Sequence, residues 1–76
     1  MLKQAESLKV GDLVVVGTQV NDRFVPAQYG TKVTVEKITQ EATGSIRIDL
    51  DWGAFGKSRV YAHDEGKLWH KLQNFN

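Results

Sequence analysis

The 76-residue sequence contains no cysteine. Without cysteine the chain cannot form a disulfide bond, and it has no thiolate with which to bind a metal ion. Because cytoplasmic proteins rarely depend on disulfides, this absence favours a cytoplasmic location.

Long hydrophobic runs are also missing. The longest run of large apolar residues covers only positions 13–16, whereas a helix that crosses a bilayer needs about 20 such residues. Residues 1–6 lack the apolar segment of a secretory signal. We therefore predict no association with a membrane.

The chain has no large excess of charge of either sign. Ten Lys and Arg residues are balanced by nine Asp and Glu residues, which gives a formal net charge of +1. A dedicated nucleic-acid-binding domain usually carries a larger basic excess, so the balance disfavours that class. Hydrophobic residues make up 41% of the chain, which is enough to exclude a disordered protein and to predict one small folded domain.

No catalytic or metal-binding motif of known spacing occurs in the sequence. The side chains able to build such a site are Asp49, Asp51, His63, Asp64, Glu65 and His70. None of them stands beside a Ser or Cys nucleophile in a recognisable pattern, and the two histidines are too far apart to form a helical ligand pair. We predict no enzymatic activity, no catalytic residue, no cofactor and no metal site.

What the sequence does contain is a series of short strand patterns separated by polar, glycine-bearing joints. The strongest covers residues 45–52, where apolar and polar residues alternate without a break, so that one face is buried and the other is wet. The five predicted strands are residues 13–16, 31–39, 45–52, 57–62 and 67–72. A β-bulge near Glu36 and Lys37 would bring Ile38 back into phase with the core.

The connections between these strands differ in length. Residues 18–30 form the longest irregular stretch, with a turn signal at Asn21-Asp22 and the only proline, Pro26. Residues 53–56 make a tight hairpin, and residues 63–66 are predicted to form a turn of 3₁₀ helix. The whole chain, residues 1–76, is read as one domain with its core at about 8–72, a lead-in at 1–7 and a tail at 73–76.

This order of parts resembles the SH3-like small β-barrel. The resemblance is carried by residues 10–15 at the first strand, 29–35 at the second, 48–52 at the third, and 63–69 before the last. It implies an all-β, five-stranded barrel with a long first loop and a 3₁₀ turn before the last strand. The likeness is one of fold alone, so it implies no functional residue.

The alternation also predicts which apolar residues form the core. We expect the following side chains to pack together: Val15, Val33, Val35, Ile38, Ile46, Ile48, Leu50, Val60, Leu68 and Leu72. Asp49 and Asp51 share the opposite face of the third strand. They could bind a hard cation, but we favour a solvent-exposed face with Arg47 beside them and Lys57 or Arg59 across the hairpin.

Aromatic and basic residues are the candidates for binding. Tyr61 and Trp69 are out of phase with the core, and Trp52 continues its rim, so these rings either cap the open ends of the barrel or contact a partner. The predicted binding residues are Phe24, Tyr29, Trp52, Phe55, Tyr61, Trp69, Lys57, Arg59 and Lys71. The first-choice partner is a protein or peptide of acidic character, held between residues 18–30 and the Trp52–Phe55 hairpin.

The predicted function is accordingly that of a non-catalytic protein-binding or peptide-binding module, or of an accessory subunit. Basic side chains interleaved with stacking rings also suit single-stranded nucleic acid, which is the first alternative. A structural or assembly role is the second. The sequence leaves the oligomeric state open.

Overall fold

The computed structural model describes residues 3–5, 7–27 and 32–75. Strands account for 54% of the chain and the helical structure is limited to single turns, which confirms the all-β class. The strands are β1 (Lys3–Gln4), β2 (Leu13–Val20), β3 (Arg23–Pro26), β4 (Val33–Gln40), β5 (Ile46–Asp51), β6 (Lys57–Ala62) and β7 (Leu72–Asn74). A 3₁₀ turn spans Gly53–Phe55 and a short helix, α1, spans Glu65–Leu68.

All described strand pairs are antiparallel. The strand order in the sheet is β1-β7-β2-β4-β5-β6, and β3 pairs only with β2. No described pairing joins β1 to β6, so the sheet is open over the residues that the structure describes, and a closed five-stranded barrel stays a prediction. No helix among these residues has both the length and the apolar character needed to span a membrane.

Strand β5 lies at the centre of the core, as the alternation predicts. Ile46, Ile48 and Leu50 are buried on one face, while the residues between them line the other. The predicted core residues of β4, β5, α1 and β7 are buried in one cluster, and Ile38 and Val60 pack against it half-buried. Val15 is buried but outside this cluster, because alternation turns it to the opposite face from its neighbour, which joins the core instead.

The predicted β-bulge is confirmed. The register between β4 and β5 shifts between Val35 and Lys37, so Glu36 is the extra residue. Beyond the bulge, Ile38 pairs directly with Ile48 and returns to the core side of the sheet.

The prediction of an irregular stretch from residue 18 is wrong as far as residue 26. Strand β2 continues to Val20, and β3 returns alongside it after a two-residue turn. Asn21 and Asp22 both have positive φ, 47° and 64°, as a type I′ hairpin turn requires. Pro26 is tolerated because β3 pairs on one side only. Residues 28–31, with Tyr29, lie outside the described part.

The predicted last strand, residues 67–72, is also wrong over most of its length. Asp64 caps α1 by accepting a hydrogen bond from the Lys67 N–H at 3.0 Å, so the chain is helical where a strand was expected. Leu68 ends α1 and Leu72 begins β7, so the burial of both does not come from alternation along one strand. Strand β7 runs from Leu72 to Asn74 and so includes the first two residues of the predicted tail.

Candidate functional site

Strand β6 forms the longest free edge of the sheet among the described strands. It has six residues and pairs only with β5, whereas the opposite edge, β1, has two residues. Strand β3, which pairs only with β2, is a second edge of four residues and ends in Pro26. The register of the β5–β6 pair is regular from Asp51–Lys57 to Ile46–Ala62, without a bulge. The described structure therefore presents one long, regular strand edge.

The backbone groups on this edge follow from the alternation of an antiparallel ladder. The Trp52 N–H donates to the Gly56 carbonyl oxygen at 2.8 Å, which marks a hydrogen-bonded pair at the hairpin end. Hydrogen-bonded pairs recur at every second residue from that pair. The backbone groups of β6 that bond to β5 are therefore those of Ser58, Val60 and Ala62. The N–H and C=O groups of Lys57, Arg59 and Tyr61 therefore point away from β5.

The outer face of β4, β5 and β6 carries rows of paired charges. Asp49 Oδ1 lies 3.4 Å from Arg47 Nε and 3.5 Å from Arg59 Nε. Lys57 Nζ donates to Glu36 Oε1 at 2.8 Å. This hydrogen bond, together with the Coulombic attraction of the same carboxylate, raises the pKa of Lys57 above its ordinary value. The charges on this face therefore largely neutralise one another.

A shallow groove of about 420 Å³ lies on this face. Its lining residues are Glu36, Lys37, Asp49, Lys57, Ser58 and Arg59. Both of its carboxylates are engaged by Lys57 and Arg59, and only Lys37 forms no ion pair among the described residues. Asp51 Oδ1 accepts from the Gly53 N–H at 2.8 Å, so Asp49 and Asp51 are half-buried groups with structural partners rather than a freely solvated pair. The described residues include no group of three potential metal ligands.

We expect the double substitution Asp49→Asn, Asp51→Asn to leave the fold intact. Loss of two partly exposed carboxylates should lower the free energy of unfolding by about 1 kcal/mol, since such ion pairs contribute little individually. Thermal unfolding of both proteins with and without calcium, magnesium or zinc measures this. A metal ion that stabilised only the unsubstituted protein would show that the carboxylates form a metal site.

A second groove, of about 340 Å³, lies where β6 ends and α1 begins. Its lining residues are Ser45, Tyr61, Ala62, His63, Lys67, His70 and Lys71. No carboxylate lines it, in contrast to the first groove. Lys71 Nζ donates to the Tyr61 carbonyl oxygen, which is one of the groups on the free edge of β6.

The structure brings most of the predicted binding residues together along β6. Phe55 is 81% exposed at the hairpin tip, and Tyr61 is 46% exposed near the other end of the strand. Trp52 is half-buried against the core, and its Nε1 donates to Ser58 Oγ at 2.6 Å. Trp69 is half-buried against the core as well, and its ring lies 4.2 Å from that of His70.

Phe24 lies elsewhere. It belongs to the β2–β3 hairpin, where its ring is packed over Gly17, so it is half-buried and part of the fold. Strand β3 adjoins β2, which β4 and β5 separate from β6 in the sheet, and neither groove includes residues of both. Tyr29, the remaining predicted residue, lies outside the described part. A surface shared by residues 18–30 and the Trp52–Phe55 hairpin stays a prediction.

Sequence reasoning missed the residues that line the second groove beside Tyr61 and Lys71. Lys67, His70 and Lys71 are spaced three and four residues apart, which places them on one side of a helical turn. The signal that could have shown this is the capping position of Asp64, three residues before Lys67.

Comparisons of the chain with protein-family models, with curated proteins and with solved structures find no match. The function is therefore inferred from the chemistry of the surface alone.

Proposed function

We propose that this protein is a non-catalytic binding domain that holds an extended segment of a protein partner against the free edge of β6. The observation that carries the proposal is the set of backbone groups that β5 does not use, namely the N–H and C=O groups of Lys57 and Arg59 and the N–H of Tyr61. An extended segment can pair with such groups as an additional strand, and its backbone hydrogen bonds then supply affinity.

The edge is receptive because the usual means of blocking an edge strand are weak here. Natural edges are protected by proline, by bulges or by unpaired charges that repel an incoming strand. Strand β6 contains no proline, and its register with β5 has no bulge. Its two charged side chains, Lys57 and Arg59, are already matched by Glu36 and Asp49.

Exposed rings stand at both ends of this edge. Phe55 at the hairpin tip and Tyr61 near the end of β6 offer apolar surface that a bound segment can cover. Aromatic anchors of this kind often dominate the affinity of small interfaces, while the surrounding charges mainly steer association.

The SH3-like barrel remains our proposal for the fold, and the strand order supports it. Strands β4, β5 and β6 form a meander of consecutive hairpins, after which α1 leads into β7 beside β2. This is the order of parts on which the resemblance rests. A cytoplasmic location stays a prediction from the absence of cysteine.

The decisive test compares Arg59→Pro with Arg59→Ala. Both variants lose the same charge, but only proline removes the N–H that points away from β5. We expect peptides selected from a random display library to bind the unsubstituted protein and Arg59→Ala with similar affinity. Arg59→Pro should bind them at least about tenfold more weakly, because it loses a backbone hydrogen bond and blocks close approach of the strand.

Thermal unfolding provides the control, since proline at this outward-facing position should leave the β5–β6 ladder intact. Hydrogen exchange supplies an independent readout, with the N–H groups of Lys57 and Arg59 slowed by bound peptide. Equal peptide affinity of the two variants would disprove strand addition. A dimer of the protein alone that Arg59→Pro dissociates would assign the edge to a second copy of the chain.

A further inference from the structure

The groove at the end of β6 differs from the rest of the surface in its chemistry. Every ionisable or hydroxyl side chain that lines it can donate a hydrogen bond, and none is a carboxylate. We refer to it as the donor groove, lined by Ser45, Tyr61, Ala62, His63, Lys67, His70 and Lys71.

Within the part of the chain that the structure describes, the two lysines of the donor groove have no acidic partner. Over the described residues, the ion pairs of the protein involve Arg47, Lys57 and Arg59 and do not include Lys67 or Lys71. Of the two acids that precede Lys67 in sequence, Asp64 is engaged at the start of α1, where its Oδ1 accepts the Lys67 N–H at 3.0 Å, and Glu65 forms no ion pair among the described residues. The positive charge of the donor groove is therefore available to an external anion.

Two of the donors are held in position. Lys71 Nζ is fixed on the Tyr61 carbonyl oxygen, and the His70 ring lies against Trp69, which is itself half-buried against the core. Side chains that are already ordered lose less conformational entropy when they bind a ligand. The donor groove is thus partly preorganised.

The donor groove is continuous with the edge of β6 through Tyr61, which belongs to both. Because Lys71 already donates to the Tyr61 carbonyl oxygen, an added strand meets a competing donor at this point, where its pairing with β6 is weakest. A side chain of the bound segment just beyond this point would lie beside Lys67, His70 and Lys71.

The geometry points to an oxyanion-binding subsite in the donor groove, which receives a phosphorylated or acidic side chain of the segment bound along β6. This inference rests on the proposed function. Ammonium and imidazole donors form charge-assisted hydrogen bonds with either a phosphate or a carboxylate. The groove offers more donors than one carboxylate needs, and a phosphate carries three acceptor oxygens and more charge, so phosphate should bind more tightly.

The test uses a peptide selected from the display library on the unsubstituted protein. In a series of variants of this peptide, a single phosphoserine is placed at each position in turn. Peptides with serine or with glutamate at the same position serve as references. We expect one position at which phosphoserine strengthens binding at least about tenfold over serine, with glutamate between them.

The gain in affinity from phosphoserine should disappear in the double variant Lys67→Gln, Lys71→Gln. The matched control is Lys3→Gln, Lys9→Gln, which removes the same charge from two exposed lysines that line neither groove and should keep the gain. Thermal unfolding of both double variants checks that the fold is retained. In a second arm, inorganic phosphate at constant ionic strength should shift the amide resonances of Ala62, His63 and His70 in the unsubstituted protein and in the control variant, but not in Lys67→Gln, Lys71→Gln.

The outcomes separate this inference from the proposed function. If Arg59→Pro weakens peptide binding but no phosphoserine position gains affinity, the subsite is disproved and strand addition stands. If phosphate shifts the resonances but no peptide binds, the assignment to a bound segment is overturned. A single-stranded oligodeoxythymidine that binds more tightly than the phosphopeptide, and loses affinity in Lys67→Gln, Lys71→Gln, would give the donor groove to nucleic acid.

Discussion

Replacing Ile48 with alanine is expected to lower the free energy of unfolding by about 2–5 kcal/mol. Ile48 is fully buried at the centre of β5, between Ile38 on one side and Val60 on the other. Its truncation removes apolar contacts and leaves a cavity that two neighbouring strands cannot easily close. Since small domains are stable by only about 5–15 kcal/mol, the loss is a large share of the total.

Urea denaturation of the variant measures this loss, and a second pair of substitutions controls for it. Val35→Ala removes a fully buried side chain, whereas Val10→Ala makes the same change where the side chain is 64% exposed. Of these two substitutions, only Val35→Ala should destabilise the protein strongly. A loss below about half a kcal/mol for Ile48→Ala, the range of an ordinary surface substitution, would mean that the two faces of β5 are assigned the wrong way round.

Substitution of Gly17 by alanine should have the second large effect. A Cβ atom at this position would lie 2.5 Å from Cζ of Phe24 and would also press against the carbonyl oxygen of Val25. The ring could rotate away, but the carbonyl belongs to the paired backbone of β3 and can move only if the hairpin opens. We expect a loss of about 1–3 kcal/mol, the usual cost of inserting a methyl group where there is no room.

The matched control is Gly66→Ala, which places the same methyl group in α1. There the nearest atom is Asp64 Oδ1 at 3.3 Å, which belongs to an exposed side chain and needs to shift by only a few tenths of an ångström. Because alanine favours helix, the net change in stability should be small. In a double-mutant cycle, Phe24→Ala should recover part of the Gly17→Ala loss, because it removes the ring but not the Val25 carbonyl. Equal effects of the two glycine substitutions would contradict the close packing of the hairpin.

The fold was most predictable where a single physical pattern acts alone. Strand β5 is buried on one face and wet on the other, so alternation placed it within one residue at each end, at Ile46–Asp51. The bulge at Glu36 was predictable for the same reason, since Ile38 would otherwise face solvent. The core residues can therefore be predicted from the sequence wherever a strand has one buried face.

The β2–β3 hairpin was not readable in this way because its half-buried positions do not form an apolar pattern. These positions are Gly17, Gln19, Phe24 and Pro26. Gly17 interrupts the apolar pattern, and it is needed because the ring of Phe24 and the backbone of β3 lie directly against it. The turn at Asn21-Asp22 was recognisable, but the pairing on either side depends on contacts across the hairpin that one strand does not reveal.

The candidate site was predictable in part. Ring and basic residues on β6 were found from composition and phase, yet the donor groove was missed because Leu68 and Leu72 fit both a strand and a helical turn. The free edge itself could not be predicted, since the order of strands in a sheet depends on pairings between distant parts of the chain.

The position of β2 between β4 and β7 has a consequence for the order in which the protein is assembled. The meander of β4, β5 and β6 joins neighbours along the chain, whereas Val14 in β2 pairs with Asn74, near the other end. Contacts between distant residues form slowly, because the intervening chain must first be closed into a loop. During folding, the meander can therefore form early, whereas the apolar face of β2 is covered only when β7 docks beside it. Until then the chain exposes an unfinished sheet to proteases, chaperones and other unfolded chains.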